Sequence, residues 1–269
     1  MDRTLFRVLV VLAVASVIFL AAISITVFVE ITYRATLSST YEYRVSITSD
    51  ATLGNVTLYV PIPARGPKSS SVLEGIGSGG LKGVPPSWGV SLIGTEKFTM
   101  LELTAREIEP SPPGRPYLLS FDTRVRGPIH TRTAGSEDLV LRSVTQVIPA
   151  ACGGMDTEAS PEMRCWLYQG PAYADFTAPG NEHLSVQVSL TGRNAWDVFG
   201  PSSNEYRDGL QFSFSGERRG WRTGDGSLVT GIGDYGLELW LQHWETPESS
   251  AGVSQQLVMW PLQLRGGWA

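Results

Sequence analysis

Leu184-Ser185-Val186-Gln187-Val188-Ser189-Leu190 alternates apolar and polar residues without a break. Successive side chains of an extended strand point to opposite faces, so this stretch puts four aliphatic groups on one side and Ser, Gln, Ser on the other. The same period of two recurs outward along the chain. Tyr41, Tyr43, Val45 and Ile47 alternate with Glu42, Arg44, Ser46 and Thr48, and Val56, Leu58, Val60 and Ile62 alternate with Thr57, Tyr59 and Pro61. Leu119, Phe121, Thr123 and Val125 form a further set, as do Leu210, Phe212 and Phe214. Strands are also expected at 90–93, 98–104, 139–148 and 257–264, the last at an edge because it holds Pro261. A sheet with one apolar face has to bury it. The expected fold class is therefore all-β, an antiparallel β-sandwich of about ten to twelve strands, built as one large or two small sandwiches.

Residues 236–244 are ambiguous. Leu237, Leu239 and Leu241 alternate with Glu238, Trp240 and Gln242, yet Leu237, Trp240, Leu241 and Trp244 also match helical spacing. The short length and flanking glycines favour a strand. Residues 64–89 are rich in Gly, Ser and Pro and read as a long surface loop. The proline-rich 109–116 and the stretch 127–137 are the places where the β region would divide in two.

At the front of the chain, residues 8–29 read VLVVLAVASVIFLAAISITVFV, without a charge. As a helix this run is about 33 Å long, enough for a hydrocarbon core of about 30 Å. It has no polar face, unlike a helix packed on a soluble core. The reading is a signal anchor, a single transmembrane helix whose partner is the lipid bilayer. A cleaved signal peptide is the rival, but Ala13-Val14-Ala15 lies too early for its cleavage site and only Ala35 stands near a boundary. Arg3 and Arg7 precede the run, whereas Glu30 follows it and the next positive charge is Arg34. Basic residues stay on the cytoplasmic side, so the short tail 1–7 is expected inside. Residues 30–40 then form a juxtamembrane linker, and 41–269 an extracytoplasmic domain at the cell membrane.

The formal net charge of −5 argues against a nucleic-acid surface. The 29 glycines and 17 prolines suit a protein with many turns. Cys152 and Cys165 are the two cysteines of the chain. In an exported protein such a pair reads as a disulfide, and closing a loop of this size contributes about 3 kcal/mol by chain entropy. A metal pair is the weaker reading, since no histidine lies nearby to complete four ligands.

No motif names a reaction. Gly75-Ile76-Gly77-Ser78-Gly79-Gly80 has the letters of a phosphate-cradling turn, but the following LKGVPPSWG is no helix start, so a plain loop is expected. His130, His183 and His243 are far apart, no G-x-S-x-G elbow exists, and no paired carboxylates stand out. Asp225 and Asp234 lie in Gly-rich segments that read as turns, without the D-x-D-x-D spacing of a calcium loop. No cofactor and no metal are expected. Asn55-Val56-Thr57 is an N-glycosylation sequon after a turn. Seven of the eight tryptophans fall from Trp166 onward. Trp221, Trp240 and Trp244 are candidates for an aromatic binding surface, with Trp240 opposite Leu239 and Leu241 if 236–244 is a strand.

Residues 41–63, ending in LGNVTLYVPIP, resemble the opening strands of uncharacterised archaeal single-pass surface proteins. That resemblance implies an N-terminal anchor with an external β domain and transfers no functional residue. The expected function is non-enzymatic: a membrane-anchored extracytoplasmic domain presenting a binding or assembly surface at the cell envelope. Its partner would be another envelope protein or a glycan. The alternatives are an envelope hydrolase acting on glycans or peptides, and an accessory subunit of a membrane complex.

Overall fold

A computed structural model of the chain describes residues 3–63, 70–94, 99–112, 115–133, 140–141, 147–152, 161–180, 182–215 and 220–245. The expected strand at 257–264 lies outside the described residues, as does most of 139–148. One compact unit ends at Asp234 and a second begins at Tyr235.

The first element, α1 (Arg3–Thr36), is a single helix, long and apolar enough to cross a membrane. Its apolar side chains from Leu9 to Phe28 are exposed all round. The few hydroxyls in it turn back on the helix: Ser16, Ser24 and Thr26 donate to the carbonyls of Leu12, Leu20 and Ala22 at 2.8, 2.8 and 3.0 Å. Each of these three hydroxyls is thereby satisfied within the helix. The helix runs on through the segment assigned to a linker. Leu37 alone separates Thr36 from β1 (Ser38–Ser49), so 30–40 is helix and strand instead.

Nine further strands follow among the described residues: β2 (Leu53–Pro61), β3 (Trp88–Gly94), β4 (Thr99–Ile108), β5 (Tyr117–Val125), β6 (Ile148–Ala150), β7 (Arg164–Thr177), β8 (His183–Asp197), β9 (Pro201–Ser215) and β10 (Gly220–Gly233). All pairings are antiparallel, in the order β3-β4-β2-β7-β10-β9-β8-β1-β5, with β6 added to β7. The all-β expectation holds, in the form of one curled sheet. The strands on both sides of 109–116 and 127–137 belong to that same sheet.

The curl encloses a core to which β1, β2, β4, β5, β7, β8, β9 and β10 all contribute. The two edge strands come together at one place, where the rings of Trp88 (β3) and Tyr117 (β5) lie 5.3 Å apart. A short helix, α2 (Ser71–Gly77), sits over that seam, a correction to the loop expected at 64–89. Its start was present in the letters: Ser70 Oγ accepts from Leu73 N–H at 2.9 Å, as an N-cap does. Val72 and Ile76 face the core. Gly75 packs so closely on the Phe121 ring that a Cβ there would lie 2.0 Å from it. Beyond α2, Lys82 pairs with Ser120 through two backbone hydrogen bonds (2.8 and 3.0 Å), covering the β5 edge.

Two central strands have no clear signal in the sequence. β7 and β10 are neighbours, and the inward positions in the middle of each are small, Gly170, Ala172 and Ala174 on one and Gly224 and Gly226 on the other, with Tyr168, Phe176 and Leu228 toward their ends. The segment around Asp225, read as a turn, is therefore strand. Pro171 is tolerated in β7 because β2 pairs with it only as far as Tyr173, and β6 only at 165–167.

Residues 236–244 form α3 (Gly236–Glu245), not a strand. Leu237, Trp240 and Leu241 follow the helical spacing, and the alternation that set Trp240 against Leu239 and Leu241 does not apply.

Candidate functional site

The outer face of the sheet carries an unbroken rung of polar and aromatic side chains. Ser91, Glu102, Tyr59, Tyr173 and Trp221 stand opposite one another across β3, β4, β2, β7 and β10. Register alone brings together five residues that span 162 positions in sequence, from Tyr59 to Trp221. The Tyr59 and Tyr173 rings stack at 4.9 Å, and Trp221 meets Tyr173 edge-on at 5.6 Å. Such ring pairs contribute about 0.5–1.5 kcal/mol beyond the area they bury. Trp221 is nevertheless 52% exposed. Ser91 Oγ donates to the Glu102 carboxylate, which also takes a hydrogen bond from the Tyr59 hydroxyl. Loss of solvent and the Glu102 charge hold the Tyr59 phenol above its ordinary range, so it keeps its proton. Asp175 stands two residues from Tyr173 on the same face and adds a second nearby carboxylate. The surface is thus aromatic at its centre and acidic at its margin.

A second feature opens on the concave side. A cleft of about 640 Å³ is lined by Val140, Leu141, Val147, Trp166 and Leu228, with Arg132 and Arg164 beside them. Asp208 and Tyr168 also line it. The Tyr168 hydroxyl donates to Asp208 Oδ1, and Leu141 N–H donates to Oδ2 at 2.6 Å. Burial pushes the Asp208 carboxyl up to about 7, against the pull of those hydrogen bonds. Burial likewise pushes the Tyr168 phenol up, with Asp208 adding to the effect. Arg132 is held by Glu162 at 2.6 Å, and Arg164 donates to the Pro161 and Met163 carbonyls at 2.8 Å each. Among the described residues that line the cleft, Asp208 is the one carboxylate.

His130 and His183 do not converge, and the His243 side chain lies outside the described residues. His130 follows β5 at the end of the sheet next to α1, while His183 opens β8 at the other end. The His183 ring lies 2.6 Å from Ser213 Oγ. Asp50, however, accepts from the His183 backbone N–H at 2.7 Å rather than from the ring, so Asp50 does not orient it as a triad carboxylate would. Among the described residues no group of His, Cys, Asp and Glu could hold a metal ion.

Of the tryptophans singled out by sequence, Trp221 is the one the structure places in an exposed cluster. Trp240 is half-buried on α3, and the Trp244 side chain lies outside the described residues. Tyr59 and Tyr173, which complete the cluster, carried no signal beyond being aromatic at outward positions. Cys152 and Cys165 lie at disulfide distance, with S–S 2.06 Å and Cα–Cα 5.4 Å. Asn55 is exposed on a bulge of β2, where the register with β7 shifts, at φ +51°. The sequon asparagine thus projects from the sheet. Asp225 accepts from Gln169 Nε2 at 3.2 Å within β10, an interstrand contact on the outer face. No protein-family model, curated protein or solved structure matches this chain.

Proposed function

We propose that this chain is a single-pass membrane protein, with residues 1–7 in the cytoplasm and the curled β domain outside. There it presents a non-enzymatic binding surface to another component of the cell envelope, a protein or a glycan. The Tyr59–Tyr173–Trp221 rung carries this reading: a large ring left half in water, braced by two others on the outside of a sheet, is costly unless something covers it. Aromatic faces and carboxylates suit neutral or basic partners and oppose nucleic acid. The disulfide supports an oxidising compartment. Arg3 and Arg7 support the orientation.

The test compares wild type with Trp221→Ala in full-length protein, solubilised gently from its own membranes. Loss of a co-purifying partner, or of binding to purified envelope polysaccharide, with an unchanged melting curve supports the surface. Unchanged capture by the variant removes it.

A further inference from the structure

The hairpin joining β8 to β9 ends in a bare hydrophobic tip. Asp197 pairs with Pro201, leaving Val198, Phe199 and Gly200 as the connection. Gly200 turns it at φ +132°, a conformation that glycine adopts freely. Phe199 is 80% exposed, more than any other large apolar side chain among the described residues, those of α1 included. Nothing in the β domain explains a phenyl ring placed there.

Its position does. β1 leaves α1 through one residue, and β8 runs antiparallel to β1, with Ala195 opposite Ser38. The end of β8 therefore returns alongside the last turns of α1. Asp197 N–H donates to Thr36 Oγ1 at 3.1 Å, and the buried Trp196 ring meets Tyr33 edge-on at 5.7 Å. The tip beyond Asp197 thus points back along the helix toward its apolar run. Thr36 lies seven residues past Val29, about 10 Å along the helix axis. The two residues beyond Asp197, which form the bend of the hairpin, recover at most about 7 Å of that. Phe199 then reaches the boundary between headgroups and acyl chains, since the headgroup layer is about 5–7 Å deep on each side. The Glu30–Arg34 ion pair (2.6 Å) falls in the same layer, where charge is tolerated.

We propose that this tip is a second membrane contact, with Phe199 seated in the lipid interface beside the helix. Together with the Trp196–Tyr33 contact it fixes the tilt and rotation of the β domain on the bilayer, and so holds the outer-face rung at a set height and direction. This inference rests on the membrane-anchor reading above, and the test separates the two.

Full-length protein carrying Phe199→Cys is spin-labelled and reconstituted in nanodiscs of phosphatidylcholine and phosphatidylglycerol. The native cysteines are paired with each other, so the added thiol is the one that reacts. Val17→Cys in mid-helix and Thr223→Cys on the outer face serve as references, and Val198→Cys is a second tip position should the first label perturb assembly. Relaxation by oxygen, which partitions into lipid, is compared with relaxation by a water-soluble nickel chelate. The expected result is an oxygen-favoured label at the tip, ranking with position 17. A tip that ranks with position 223 while position 17 is immersed overturns the tip contact and leaves the anchor standing. Chelate-favoured labels at both 17 and the tip overturn both.

Discussion

Tyr43 on β1 donates its hydroxyl proton to the Pro61 carbonyl at the end of β2, at 2.8 Å, across the closed interior of the sheet. The two strands are five places apart in the sheet order, so this bond joins opposite walls of the curl. Both residues are buried, and burial pushes the Tyr43 phenol far above its ordinary range, so it remains a donor at any working pH. Tyr43→Phe keeps the ring and removes the donor. The expected loss is about 1–3 kcal/mol, the cost of leaving a buried polar group short of a partner. A urea titration of full-length protein in detergent should show a lower midpoint at constant slope. An unchanged midpoint would mean that the curl does not depend on this contact.

Gly224 in β10 faces inward, and a Cβ there would lie 2.3 Å from the Gln211 carbonyl oxygen and 2.4 Å from the Phe212 ring. A backbone atom cannot move aside as a flexible side chain can. Gly224→Ala should therefore destabilise by about 1–3 kcal/mol or prevent folding. Gly94, at the end of edge strand β3, meets nothing within 4 Å and has no positive φ. Gly94→Ala should be neutral, or stabilise by about 0.4–1 kcal/mol through the unfolded chain. The contrast in melting temperature between the two variants is the measurement. Equal effects would contradict the inward placement of Gly224.

The same glycines explain what the sequence concealed. β1, β2, β5, β8 and β9 were legible because large apolar groups occupy their inward positions and polar ones their outward positions. At the glycines of β10 the volume is supplied by the strands paired on either side, β9 and β7. Phe212 fills the space at Gly224, and Tyr168 and Leu210 fill that at Gly226, so alternation in size ran opposite to alternation in burial. Glycine then read as turn, although here it marks close approach. Helix α3 is obscured for a related reason, since its flanking glycines resemble strand boundaries. At the surface, Trp221 was visible as an aromatic residue, but its neighbours Tyr59 and Tyr173 come from β2 and β7. No local pattern encodes a register set by three separate strand pairings.

Asp208 makes stability depend on pH in a direction opposite to that of most carboxylates. Burial raises its folded-state value to about 7, well above the ordinary carboxylate range of about 4. Below about pH 4 it is protonated in both folded and unfolded chains and exerts no penalty. Between about 4 and 7 the unfolded chain releases its proton while the folded one retains it, so stability falls as pH rises. Above about 7 both forms are ionised and the loss, of order a few kcal/mol, is complete. Asp208→Asn cannot ionise, so its melting temperature should lack this decline between pH 4 and 7. Parallel curves for wild type and variant would show that Asp208 titrates normally.

The disulfide offers the most direct check on where the domain resides. Ala150 of β6 pairs with Cys165 of β7, and the Cys152–Cys165 bond closes the chain 13 residues apart beside Met163, Val229 and Ile232. β6 is three residues long, and the bond limits how far this segment can open. Loss of a cross-link over such a loop costs about 3 kcal/mol by chain entropy. For a domain of this size that corresponds to roughly 6–12 °C in melting temperature. The double variant Cys152→Ser, Cys165→Ser should show that drop, and Tyr43→Phe should add to it, since the two sites share no partner. Thiols of a cytoplasmic domain stay reduced, whereas those of an external one oxidise during export. Protein denatured in the presence of a maleimide, straight from intact cells, should therefore take up no label until a reductant is added, and two labels per chain afterwards. Two labels before reduction would place the domain on the cytoplasmic side, reverse the orientation inferred from Arg3 and Arg7, and leave the aromatic rung facing the cell interior.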